Sequence, residues 1–168
     1  MLKNININPF FAGLFQIGFV TRDIDKAADF LTGTMGTGKF MKLSKPEISD
    51  QTWNEEPIDI VVDLAFGQWG NLNIELIQPI EGESSYNETL QTFDWIGIHH
   101  ICVKVHNVDE ASADMAEKNI PLIQSGRFGD HSTFHYFDTR PFLGYYTEVL
   151  YFDEDTETLF DKIARNDF

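Results

Sequence analysis

Apolar and polar positions alternate along this chain in short runs that read as strands, broken by turns and by two stretches with helical spacing. LFQIGFVT (14–21) and IHHICVKV (98–105) are apolar enough for buried strands. A short turn follows each, and then apolar residues recur at helical spacing: Ile24, Ala27 and Leu31 in one case, Val108, Ala111 and Met115 in the other. Asp23 or Asp25 can cap the first helix, Asn107 or Asp109 the second. Strand-like runs come after both helices. In the first half they fall near 39–43, at 58–66 (IDIVVDLAF) and at 71–79 (NLNIELIQP), the last two joined by the turn GQWG. In the second they are PLIQSGR (121–127), STFHYFDT (132–139) and YYTEVLYF (145–152), the last two joined by RPFLG.

The halves therefore repeat the order β-α-β-β-β, and residues 14–31 align on 98–115 without a gap. Phe15 falls on His99, Gln16 on His100, Ile17 on Ile101, Asp25 on Asp109 and Ala27 on Ala111. The pattern divides the chain into an N-terminal arm (1–12), a first module (13–79), a connector (80–96), a second module (97–152) and an acidic tail (153–168) expected to be helical. Neighbouring strand residues point to opposite faces, so His99 and His100 are not expected to share a site. His100, Cys102 and Lys104 should lie on the face of the repeat-equivalent Gln16, Gly18 and Val20, with His99 on the other, bonded to backbone.

Composition narrows the function. The 168 residues can build one ordinary core, and 27 acidic against 12 basic residues give a net charge of -15. That charge repels nucleic acid and anionic membranes, with no basic stripe to offset it. Cys102 is the sole cysteine, so no disulfide framework exists and a reducing cytoplasm is the expected compartment. The opening MLKNININPFFAGLFQIGFV has neither a basic leader nor an apolar span of about 20 residues, so neither signal peptide nor membrane anchor is expected.

The duplicated module resembles the vicinal oxygen chelate superfamily, which includes glyoxalase I, methylmalonyl-CoA epimerase, extradiol dioxygenases and bleomycin-resistance proteins. The resemblance covers roughly 13–152. It implies an α+β fold of two tandem modules whose curled mixed sheets enclose one metal-containing cavity, and a homodimer. Ligands in that superfamily stand on the first and last strands of each module, positions that here hold Gln16, Glu75, His100 and Glu148. Each is a polar residue in an apolar strand, where an unpartnered group is costly, and Glu75 in NIELIQ matches Glu148 in YTEVLY. The small Gly18 and Cys102, two residues beyond the first-strand ligands, are expected to leave space for a substrate.

This mostly oxygen donor set suits one six-coordinate divalent ion: Zn, Ni, Co, Mn, Mg or Fe(II). It is similar to that of animal-type glyoxalase I and close to that of the epimerase, and so implies a lyase or isomerase. Such an enzyme abstracts a proton next to a carbonyl, with Glu148 as base and Glu75 as second proton carrier. Two alternatives accompany it: an Fe(II) ring-cleaving dioxygenase, disfavoured because Gln16 stands where a histidine is expected, and a metal-free sequestering protein. The expected partner is a small, fairly apolar carbonyl compound. Arg127, Arg140 and Lys104 could meet an anionic group on it; His131 and His135 read as a loop histidine and a cavity-wall or surface histidine, and Trp53, Trp69 and Trp95 as mostly core. GTMGTG (33–38) follows a helix and lacks the dinucleotide-binding spacing, so it reads as a loop.

Overall fold

The computed structural model describes residues 13–129 and 132–168, so the expected arm and His131 lie outside the described residues. At the centre of one sheet the two repeat-equivalent strands, β1 (Leu14–Thr21) and β7 (Ile96–Lys104), run antiparallel side by side. Each has the last strand of its own module parallel on its other side: β6 (Leu72–Glu81) beside β1 and β10 (Tyr146–Tyr151) beside β7. Beyond β6 come β5 (Val61–Trp69) and β2 (Met41–Ser44). Beyond β10 come β9 (Ser132–Phe137), β8 (Leu122–Phe128), β3 (Ile48–Trp53) and the two-residue β4 (Glu56–Pro57).

This order forces the sheet to curl. β2 and β3 stand near its opposite ends, yet only residues 45–47 connect them. The four Cα steps from Ser44 to Ile48 reach at most about 14 Å, so the two ends almost meet and the sheet encloses a cavity. The closing piece was not legible in the pattern: β3 and β4 leave the first half and pair with the edge of the second, Ile48 opposite Phe128 and Trp53 opposite Gln124. A register irregularity between Ser49 and Thr52, with positive φ at Asp50, Asn54 and Glu55, removes the alternation that would have betrayed a strand.

Two helices cover the outside. α1 (Ile24–Phe30) starts where the Asp23 side chain accepts from Lys26 N–H, and α3 (Val108–Glu117) where Asn107 accepts from Asp109 and Glu110. α1 runs on into a wide π-type turn, Leu31–Met35, that Gly36 ends at φ 72°, so GTMGTG is the exit from a helix. Ile24, Ala27 and Leu31 pack on Ile17, Phe19, Ile74 and Leu76; Val108, Ala111 and Met115 pack on Phe137 and Val149. The alternate strand residues, among them Val62, Leu64, Phe66, Ile77, Cys102, Phe134, Tyr136 and Leu150, point inward. His135 lies on the outer face, with Nδ1 2.8 Å from Ser112 Oγ of α3, and does not line the cavity. Trp69 is exposed near a hairpin tip and is not a core residue, whereas Trp95 is partly buried against the cluster under α1, with the Lys26 ammonium over its ring.

The connector holds a helix that the sequence did not announce, α2 (Ser85–Thr92), capped by Ser84 with Asn87 bonding back. RPFLG folds as a single turn, α4 (Arg140–Leu143), and the tail as α5 (Glu154–Arg165), capped by Asp153. α5 buries Phe160 and Ile163 against the inward-facing cluster and thereby stoppers the curled sheet. Among the described residues no helix is long and apolar enough to cross a membrane.

Candidate active site

The antiparallel pairing of β1 with β7 places Gly18 opposite His100 and Gln16 opposite Cys102, which brings the repeat-equivalent Gln16 and His100 together. The parallel neighbours deliver one carboxylate each, Glu75 beside Gly18 and Glu148 beside Cys102. His100 Nε2 lies 3.4 Å from Gln16 Oε1, 3.3 Å from Glu75 Oε2 and 3.2 Å from Glu148 Oε2. All four residues are buried, and one chain supplies them. The Gln16 amide is held in one orientation. Its Nε2 donates to Asn73 Oδ1 (2.9 Å), and Asn73 Nδ2 donates in turn to the Gly67 carbonyl (3.1 Å), leaving Gln16 Oε1 turned toward His100.

Two expectations about this region are corrected. His99 and His100 do not point to opposite faces, because β7 has an irregularity between the pairs Gly18/His100 and Phe19/Ile98, leaving His99 as an extra, unpaired residue. A bulged residue loses the alternation of the pleat. The two rings therefore stand 5.3 Å apart, both against Tyr136, with Nδ1 to Nδ1 at 3.0 Å. His99 bonds to the Ser85 side chain, not to backbone. β1 bulges at the equivalent residue, Phe15, skipped between Leu14/Val103 and Gln16/Cys102.

The space over Gly18, expected to be free for a substrate, is filled by the His100 imidazole. A Cβ at this position would stand 2.0 Å from Cε1 and 2.3 Å from Nε2 of that ring. Gly18→Ala should push the imidazole off its mark, costing about 1–3 kcal/mol in urea unfolding and lowering cobalt affinity roughly tenfold or more. Unchanged stability and affinity would show that the ring has room to retreat.

Electrostatics follow from burial. Desolvation alone would depress the pKa of His100, but the two carboxylates, Glu148 foremost, outweigh it and lift it to about 9. Burial raises Glu75, opposed by its close contact with the His100 imidazole. Burial also lowers His99 and raises Tyr86 and Tyr136, whose hydroxyls, 3.1 Å apart, remain proton donors.

As they stand, no three His, Cys, Asp or Glu side chains among the described residues are spaced to hold a metal ion; the donors close on one another. Their chemistry nevertheless fits a cation. Glu148 Oε2 is buried without a hydrogen bond, its 3.2 Å contact with His100 Nε2 being attraction without alignment. Two buried carboxylates facing one imidazole also leave negative charge uncompensated even when that ring is protonated. Gln16 Oε1, Glu75, His100 Nε2 and Glu148 would hold a divalent ion.

The quartet borders a cavity through Gln16, Glu75 and Glu148, with Tyr86, Tyr136 and Phe160 among its walls. Its volume is about 50 Å³, far below the roughly 300–1,000 Å³ of pockets that enclose drug-sized ligands. The cations considered for substrate contact are already engaged: Arg127 with Asp50, Arg140 with Asp138 and Glu88, Lys104 with Glu157. Sequence reasoning missed Asn73, which bonds to Gln16, and Ser85 and Gln124, which are linked to His99 by hydrogen bonds. Asn73 carried a faint signal as a second polar residue in the run NLNIEL; Ser85 and Gln124 gave none.

The glyoxalase/bleomycin resistance protein/dioxygenase superfamily model matches residues 15–137. The human mitochondrial methylmalonyl-CoA epimerase is 28% identical over 119 residues, 70% of this chain and 61% of that protein, and the mouse protein 26% identical over 119 residues, 70% and 60%. The chain thus spans about three-fifths of the length of these curated relatives. Among solved structures, methylmalonyl-CoA epimerase from Mycobacterium tuberculosis superposes with a TM-score of 0.61 at 16% identity, over 94% of this chain and 97% of that one. The hypothetical protein BH1468 from Bacillus halodurans C-125 gives 0.62 at 22% identity, over 84% and 95%. The Streptomyces coelicolor epimerase in complex with 2-nitronate-propionyl-CoA gives 0.59 at 20% identity, over 86% and 96%. These likenesses bear out the α+β fold with a curled mixed sheet.

Proposed function

The chain belongs to the glyoxalase/bleomycin resistance protein/dioxygenase superfamily, and we propose that it is a metal-assisted isomerase or lyase of the epimerase or glyoxalase kind, moving a proton on the carbon next to a carbonyl. The observation that carries this reading is the Glu148 carboxylate, buried at the cavity wall with Oε2 lacking a hydrogen-bond partner and Glu75 beside the same imidazole. Glu148 accepts the α-proton, and Glu75, its pKa raised by burial, carries a proton to the same or a neighbouring carbon. Gln16 and His100 hold the polar end of the site, while the aromatic walls exclude water. When bound, a divalent ion would supply Lewis-acid stabilisation for the charge that develops on the carbonyl oxygen. The likeness to methylmalonyl-CoA epimerases supports this chemistry, since epimerising a carbon beside a carbonyl is removal and return of one proton.

The ring-cleaving alternative needs two imidazoles and a carboxylate facing the iron. His99 does not supply the second, because its Nδ1 is turned to His100 and its Nε2 to Ser85. The small cavity favours a compact, largely apolar acyl or carbonyl group as the part of the substrate that reaches the quartet.

Elemental analysis of purified protein should find about one divalent ion per chain. Protein loaded with Zn, Ni, Co, Mn, Mg or Fe(II) should then exchange the α-hydrogen of one member of a panel of 2-oxo aldehyde adducts, 2-substituted acyl thioesters and small cyclic ketones with solvent deuterium, without oxygen uptake. Iron-dependent oxygen consumption would replace this reading with the dioxygenase. Apolar ligand binding with neither metal nor exchange would replace it with a sequestering protein.

A further inference from the structure

A chain of hydrogen bonds runs from the start of α2 to the back of His100, and its donors can be assigned from one fixed end. The backbone N–H of Ser85 can only donate, and it lies 3.1 Å from Gln124 Oε1, so that atom is the amide oxygen. Ser85 Oγ is 2.7 Å from the same Oε1. Two oxygens this close need a proton between them, and the amide oxygen has none, so the Ser85 hydroxyl donates. With that proton committed, Ser85 Oγ can only accept across its 2.9 Å contact with His99 Nε2, which therefore carries N–H. The His99 ring is enclosed by Tyr86, Tyr136 and Tyr146, with centroids 4.8, 4.9 and 4.8 Å away. Among the described residues no carboxylate bonds to it, and a buried unpaired charge is costly, so it holds one N–H and its Nδ1 is bare. At 3.0 Å from that bare nitrogen, His100 Nδ1 must be the donor.

We propose that Ser85, His99 and Gln124 are positioning residues that preset the His100 imidazole with Nδ1 as N–H donor and Nε2 facing Gln16, Glu75 and Glu148 as the free coordinating nitrogen. The assignment is the same whether or not Nε2 also holds a proton in the absence of an ion. It gives the bulge at His99 a purpose: without the extra residue the second imidazole would face away and could not stand behind the first. The arrangement parallels the first module, where the Gly67 carbonyl and Asn73 orient Gln16 by the same logic. The proposal rests on the quartet as the cation site described above but not on the reaction assigned to it.

Long-range proton–nitrogen correlation on protein labelled with ¹⁵N-histidine reads each tautomer directly in the wild type, with and without Zn²⁺. The expected result is His99 protonated at Nε2 and bare at Nδ1, with His100 protonated at Nδ1 in both samples. Ser85→Ala and Gln124→Leu should lower Zn²⁺ affinity by about 10–100-fold and release the His99 tautomer, while circular dichroism without metal stays that of the wild type. His99 protonated at Nδ1 in the wild type would overturn the proposal without any variant. Wild-type Zn²⁺ affinity in both variants, or no Zn²⁺ binding by the wild type, would overturn the positioning role. Zn²⁺ binding with these tautomers but no α-hydrogen exchange would overturn the proposed reaction alone and support the positioning.

Discussion

Glu148→Gln is expected to keep a divalent ion, more weakly, and to lose turnover by about two to four orders of magnitude in the α-hydrogen exchange assay. The amide retains one ligating oxygen and nearly the same volume, so β10 and the cavity wall are preserved. What disappears is the basic lone pair on Oε2, the buried oxygen that has no hydrogen-bond partner. The amide cannot accept a proton at neutral pH. Exchange by the variant within a few-fold of wild type, with metal still bound, would remove Glu148 as the base and leave Glu75 as the remaining carboxylate for the role.

Phe160→Ala should destabilise the protein by about 3–5 kcal/mol in urea unfolding. The Phe160 ring meets those of Phe15 and Phe66 edge-on at 5.2 and 5.1 Å and stacks on that of Phe152 at 4.8 Å, so the walls around it cannot collapse into the void. The same deletion opens the cavity where α5 stoppers it. A cavity of about 50 Å³ leaves room only for a compact group, and Phe160 is one of its walls. Corrected for folded fraction, the variant should therefore gain relative activity on the bulkier members of the substrate panel, and it should bind small aromatic molecules that wild type refuses. A variant as stable as wild type, or one with unchanged size preference, would mean that α5 is not the barrier.

The reach of the sequence differs from element to element. α1 and α3 were legible because Ile24, Ala27 and Leu31, like Val108, Ala111 and Met115, keep helical spacing behind a capping residue. α2 was not, because the face it buries includes Ser85 and Thr89, polar side chains that no hydropathy pattern assigns to an interior. The burial of Ser85 is made tolerable by Gln124, remote in the chain, and that of Thr89 by the Ser85 carbonyl one turn back. β3 was hidden for a related reason: a bulged strand pairing with residues some 75 positions away has no local period to detect.

The site divides along the same line. The resemblance to the superfamily pointed to Gln16, Glu75, His100 and Glu148, and side-chain type and the internal repeat agreed at each, because matched polar residues in matched apolar strands are visible in one dimension; the structure brings these four together in one chain. The direction of His99 was not available there. Parity assumes an unbroken pleat, and whether a strand inserts an extra residue depends on how its neighbour pairs with it; here β7 yields at His99 so that Gly18 can face His100 and the imidazole can lie over it. Local chemistry and the resemblance together thus marked which groups belong to the candidate site. The pairing of β1 with β7, the crossing of β3 to the far edge and the closure by α5 decided how those groups face one another and how little room lies before them, because such pairings balance contacts across the whole chain and leave no signature in any short window.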